Sequence, residues 1–197
     1  MQETCAIAIL AGGEGRRLGR ADKALVSVGG KPMLALALDR VRPQARHILL
    51  SANGDPQRFS ALGLPVVADA QADAGPLAGI AAAAGYCARH WPDVQRLISL
   101  PVDVPCPPAD LAARLLQSDA AKVAVAEADG RRQWAIACWP MPAAQALASA
   151  IAAGTRRIED AVRATGWQAV PFAEAAAFRN VNTPADLAEL ERALTQF

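Results

Sequence analysis

The residue types best suited to chemistry gather near the start of the chain. Gly12, Gly13, Gly15, Arg16, Arg17, Gly19, Asp22 and Lys23 follow a short apolar run. Glycines let backbone amides approach an anion, and the guanidinium and ammonium groups offset a triphosphate's charge. The segment therefore offers nucleotide binding, although taken alone it also fits a surface turn whose arginines are solvated. It is not a P-loop: no glycine stands five residues before Gly30-Lys31, and Pro32 rather than a hydroxyl residue follows. Nor is it the dinucleotide fingerprint, because Leu18 stands where that pattern wants glycine, and Ser51-Ala52-Asn53 lacks the acid that holds a ribose hydroxyl.

Such a loop needs a strand to present it. Residues 4–11 form an apolar run ended by glycines, which reads as a strand buried on both faces. Open α/β sheets bind ligands beyond the carboxyl ends of their strands, so the loop stands where a ligand belongs. Leu34, Leu38 and Val41 mark a helix closed by Pro43, and further strand-like runs cover 46–52, 64–68, 96–100 and 123–126. Asp129-Gly130, between 123–126 and the run at 133–139, signals a hairpin. Helices are expected over 143–152 and 156–164, and Thr183-Pro184-Ala185-Asp186 opens a last one with a capping threonine, a proline and an acid. This alternation predicts an α/β fold, with a mainly parallel sheet, helices on both faces and one antiparallel hairpin.

The chain has 197 residues, enough for a single domain with a sizeable core. Its 53% hydrophobic and 20% charged residues exclude a disordered chain, and no stretch has the roughly 18 uninterrupted apolar residues of a membrane span. A net charge of +1 gives no basic field for nucleic acid. Four cysteines without CxxC spacing, and only two histidines, speak for buried thiols rather than zinc. Gln2 and Glu3 stand where a signal peptide would be basic, so a reducing cytoplasmic location is expected.

Leu10-Ala11-Gly12-Gly13, Arg16-Arg17, Gly19, Asp22-Lys23 and Gly30-Lys31-Pro32 together resemble the opening signature of the molybdenum cofactor guanylyltransferases, within the nucleotidyltransferase superfamily. The likeness continues in order through Gly75-Pro76-Leu77-Ala78-Gly79, Pro101-Val102-Asp103-Val104-Pro105 and Asn180-Val181-Asn182-Thr183-Pro184. It implies a three-layer, Rossmann-like nucleotidyltransferase fold, with a nucleotide-binding half at about 1–106 and an acceptor-binding half at about 107–197. Relatives that activate sugar phosphates, or that add CMP to the same pterin, usually carry LAAG, so Gly12 points toward guanylyl transfer. Those cytidylyl or sugar-phosphate transferases, and a non-catalytic GTP-binding partner in cofactor assembly, are the alternative functions.

By the same resemblance GMP passes from GTP to the terminal phosphate of molybdopterin with magnesium as cofactor, giving molybdopterin guanine dinucleotide and pyrophosphate. Leu10, Ala11, Gly12 and Gly13 would contact the guanine nucleotide, and Asp69 would lie near its base or ribose. Lys23 and Arg17 would neutralise the triphosphate and the developing charge, and Asp103 would bind the metal. The alternative for Asp103 is an acid in a proline-rich turn or a cap for the helix after Pro108. Gly79 belongs to the matching glycine-proline segment. Ser51 stands where the family often has asparagine, with Asn53 matching a second one. Asn180 and Asn182 would face the pterin, though an asparagine-rich turn before the last helix accounts for them too. Another departure follows Gly130-Arg131, where Trp134 succeeds Gln133 in place of a proline. No Ser or Cys pairs with a plausible His base, so direct in-line transfer is expected. The expected partners are GTP and molybdopterin, with transient contacts to molybdenum-insertion proteins and molybdoenzyme chaperones, neither nucleic acid nor membrane, and a monomeric chain.

Overall fold

The computed structural model describes residues 4–12, 14–15, 21–69 and 75–195. Strand β1 (Cys5–Leu10) is buried along its whole length. Cys5, Ile7 and Ile9 enter one core and Ala6, Ala8 and Leu10 the other, which is why the run shows no polar alternation. After it come short antiparallel pairs, β2 (Glu14–Gly15) with β3 (Ala21–Asp22) and β4 (Ser27–Val28) with β5 (Lys31–Pro32). Helix α1 (Met33–Val41) then buries Met33, Leu34, Ala37, Leu38 and Val41, a spacing that lines one helical face.

The remaining elements are β6 (His47–Ser51), β7 (Val66–Val67), α2 (Pro76–His90), β8 (Arg96–Pro101), α3 (Leu111–Leu116), β9 (Val123–Ala128), β10 (Arg131–Pro140), α4 (Met141–Ala152), α5 (Ile158–Thr165), β11 (Trp167–Phe172) and α6 (Pro184–Leu194). They build a seven-stranded sheet in the order β11-β9-β10-β8-β1-β6-β7. Strand β10 runs antiparallel to both neighbours, and every other pair is parallel. Helices α1 and α3 cover one face, while α2, α4 and α5 cover the other, so the three layers expected from the sequence are present.

The hairpin between β9 and β10 turns through Asp129 and Gly130 at φ 49° and 67°, the left-handed pair that a two-residue turn requires. Further along β10 the register shifts between Gln133 and Ala137. The buried Ser99 hydroxyl holds this irregularity, donating to the Ala135 carbonyl at 2.9 Å while Trp139 Nε1 donates to it at 3.1 Å. Trp134, in the proline-to-tryptophan departure, meets Trp167 edge-on at 5.1 Å, and the Arg163 guanidinium lies 5.1 Å from its ring centre.

Several expectations need correction. The sequence contains no clear strand signal at Trp167–Phe172, because Pro171 interrupts the run and a proline is tolerated only where the strand lies at a sheet edge, as this one does. Helix α5 starts at Ile158 rather than 156. Cys5, Cys87 and Cys138 are buried and form no disulfide, whereas Cys106 is only half-buried. Burial pushes the Cys87 thiol up to about 11, as expected of an inert packing residue.

Candidate active site

Strands β1, β6, β7 and β8 end together, with Leu10 opposite both Ser51 and Pro101, and Ser51 opposite Val67. The ladder continues one step past these ends. Ala11 N donates to the Ser51 carbonyl at 2.8 Å, Ala52 N to Val67 at 3.0 Å, and Val102 N to Leu10 at 3.0 Å. A chain leaving parallel strands in register delivers its next residues to one rim, and here these include Gly12, Asn53, Asp69 and Asp103.

Two polar clusters occupy that rim. In the first, Lys23 Nζ donates to Asp103 Oδ2 at 3.1 Å and also to Asn182 Oδ1. The lysine and aspartate side chains are 13% and 24% exposed, so the pair is sheltered but reachable from solvent. Lys23 begins a short 3-10 turn, Lys23–Leu25, capped by Asp22, whose Oδ1 accepts from Ala24 N at 3.1 Å. Asp103 is fixed through its backbone, since its carbonyl accepts from Val181 N at 2.8 Å. Val181 is buried with Val28 and Met33, which brings Asn182 to the lysine.

Asn182 is held from its other side by the start of α6. Asp186 Oδ2 accepts from the N–H groups of Asn182 and Thr183, each at 2.8 Å, while the Thr183 hydroxyl accepts from Asp186 N at 3.2 Å. This is a reciprocal capping box. The N–H of Asn182 beside Asp186, followed by the hydroxyl and N–H of Thr183, holds that carboxyl below its usual range.

In the second cluster Asn53 and Asp69 bind each other reciprocally. Asn53 Nδ2 donates to Asp69 Oδ1 at 2.6 Å, and Asp69 N donates to Asn53 Oδ1 at 3.0 Å. Such pairing orients both groups at the rim, where each is half-buried.

The other candidate residues fall as follows. Leu10 and Ala11 are each 7% exposed, and Gly12 is exposed, with nothing within 4 Å of where a Cβ would stand. Packing among the described residues therefore does not require glycine at 12. Gly79 is the opposite case: a Cβ there would stand 2.7 Å from Ser51 Oγ and 3.2 Å from Leu10 Cδ2, so glycine lets α2 sit against β1 and β6. Ser51 is correspondingly 3% exposed, with its hydroxyl against that helix. Asn180 is exposed on the other side of Val181, and Gly13 and Arg17 lie outside the described residues.

Sequence reasoning missed Arg58. Its Nε donates to Asp22 Oδ2 at 2.7 Å, and its Nη1 and Nη2 donate to the carbonyls of Asp55 and Asn53, each at 2.6 Å. The readable signal was Gly54-Asp55-Pro56, a left-handed glycine and a capping acid that start the 3-10 helix Pro56–Leu62.

Among the described residues no cluster of three or more His, Cys, Asp or Glu could hold a metal. A carboxylate at a solvent-reachable rim suits magnesium, which accepts one protein oxygen together with phosphate oxygens and waters. Asp103 fits that requirement.

An α/β sheet whose carboxyl edge carries an exposed glycine, a lysine–aspartate pair and a reciprocal amide–carboxylate pair has the make-up of a nucleotidyltransferase. The model of the MobA-like NTP transferase domain matches residues 7–169. The chain is 43% identical over 186 residues to a molybdenum cofactor guanylyltransferase of Cereibacter sphaeroides, covering 94% of this chain and 95% of that one. It is 44% identical over 190 residues to a protein of the same name from Rhodopseudomonas palustris strain HaA2, covering 93% and 89%. Among solved structures, molybdopterin-guanine dinucleotide biosynthesis protein A from Archaeoglobus fulgidus superposes with a TM-score of 0.78 at 23% identity, over 98% of this chain and 100% of that one. The chain belongs to the molybdenum cofactor guanylyltransferase family.

Proposed function

We propose that this enzyme transfers GMP from GTP to the terminal phosphate of molybdopterin, forming molybdopterin guanine dinucleotide and pyrophosphate. The observation that carries the reading is the convergence of Lys23, Asp103 and Asn182 on the carboxyl edge of the sheet. One belongs to the glycine-basic segment, one ends β8 and one precedes α6. A single domain, with a nucleotide half at about 1–106 and an acceptor half at about 107–197, meets at this contact.

In the reaction an acceptor phosphate oxygen forms a bond to the α-phosphorus while the bond to the β-phosphate bridging oxygen breaks. Negative charge approaches negative charge, so positioning and electrostatic stabilisation supply most of the catalysis. Lys23 exchanges its carboxylate partner for phosphate oxygens, and Arg17 adds a forked contact. Leu10, Ala11, Gly12 and Gly13 present backbone to the guanine nucleotide. Asn53 and Asp69 hold the base or ribose, and Asn180 and Asn182 face the pterin. Magnesium held by Asp103, when bound with the nucleotide, neutralises charge on the phosphates.

The test is product analysis by mass spectrometry after incubation with GTP, magnesium and molybdopterin. Wild-type protein should yield the dinucleotide cofactor, and Asp103→Ala and Lys23→Ala should yield little. Binding of GTP without product would instead leave a non-catalytic partner in cofactor assembly.

A further inference from the structure

We infer that Arg58 is a positioning residue that ties the phosphate-binding turn to the base-binding strand end and sets the distance between them. The inference rests on reading this rim as a nucleotide site, and it adds a residue to which no role has been assigned there.

Each contact of the guanidinium reaches a different part of the rim. Nε holds Asp22 Oδ2 at 2.7 Å, and the other oxygen of Asp22 caps the turn that begins with Lys23. Nη2 holds the carbonyl of Asn53, whose side chain is paired with Asp69. Nη1 holds the carbonyl of Asp55, and the guanidinium carbon lies 4.5 Å from the ring centre of the buried Phe59. The backbone is shaped to admit it: Gly54 has φ 83°, and a Cβ there would stand 3.1 Å from Arg58 Nη1. The side chain is 27% exposed and its Asp22 partner 25%, so the pair is partly shielded.

A planar fork that bonds a carboxylate and two carbonyls at once fixes relative position in a way a point charge cannot. Lys23 and the Asn53–Asp69 pair would grip opposite ends of one nucleotide. A ligand that engages both ends gains from their fixed spacing, as in any two-point attachment, whereas a ligand that engages one end does not.

The distinguishing measurement is competition against a fluorescent GTP analogue, using GTP, guanosine and tripolyphosphate, with wild type, Arg58→Met, Arg58→Lys and Asp22→Asn. GTP affinity should fall about 10-fold or more in all three variants, while guanosine and tripolyphosphate each change by less than about 2-fold. Asp22→Asn reads the same link from the other partner if Arg58→Met fails to fold. The strap is overturned if GTP binding is unchanged, if both fragments weaken as much as GTP, or if Arg58→Lys restores wild-type affinity. Wild-type protein that does not bind GTP would overturn the proposed function together with the strap.

Discussion

Lys23 and Asp103 are 80 positions apart in sequence and meet as a 3.1 Å ion pair at the end of β8. The lysine therefore already rests against a carboxylate where a triphosphate is proposed to bind. Replacing Lys23 with alanine removes the positive charge that faces Asp103 at this rim. Turnover should fall about 10²-fold to 10³-fold, the usual loss when one preorganised electrostatic group is removed. A sheltered but solvent-reachable pair adds only about 1 kcal/mol, so the melting temperature should move by no more than about 2–4 °C. Steady-state kinetics and a thermal melt on one preparation separate the effects.

Gly12→Ala tests whether the ligand rather than the protein requires glycine. Among the described residues the added methyl meets nothing within 4 Å, so the fold should keep its stability. The preference for GTP over CTP, measured as the ratio of kcat/KM values, should fall. An unchanged ratio would remove Gly12 from base selection.

Gly79→Ala makes the opposite prediction. Alanine gains about 1 kcal/mol of helix propensity, but crowding a packed contact costs about 1–3 kcal/mol, so the net change should be destabilising. The methyl meets Ser51 Oγ first, at 2.7 Å. Ser51→Ala should therefore recover part of the loss, which a double-mutant cycle from denaturant melts would show as non-additivity.

The capping box makes the position of Asn182 dependent on pH. A carboxyl whose folded pKa is depressed, as that of Asp186 is, stabilises the fold above its unfolded value near ~3.9, and the contribution is lost as pH falls through the folded value. Melts between pH 7 and 5 should thus coincide in this respect, with loss beginning below about pH 4, and Asp186→Asn should flatten that acid limb. Thr183→Ala, which removes the other half of the box, should cost about 0.5–2 kcal/mol at neutral pH.

Legibility in the sequence followed physical cause. Strand β1 could be read because burial on both faces demands an unbroken apolar run, and α6 because its cap is written in Thr183, Pro184 and Asp186. The hairpin at Asp129-Gly130 was legible for a similar reason, since few residues tolerate its dihedrals. Strand β11 was not legible, because Pro171 breaks its pattern and is tolerated only through the strand's place at the sheet edge. At the site, Lys23 and Asp103 were marked by local sequence, yet neither their contact nor that of Asn182 could be read, because strand order brings them together. Arg58 escaped for the same reason: its partners become neighbours only after Asp22 and Asn53 are delivered to one rim.

The central claim is most directly tested by pyrophosphate release in the presence of molybdopterin and magnesium, with GTP, CTP, ATP and UTP supplied separately to the wild-type protein. Release should be fastest with GTP and should depend on the pterin. Equal or faster release with another nucleotide, or release with GTP that is indifferent to molybdopterin, would contradict it.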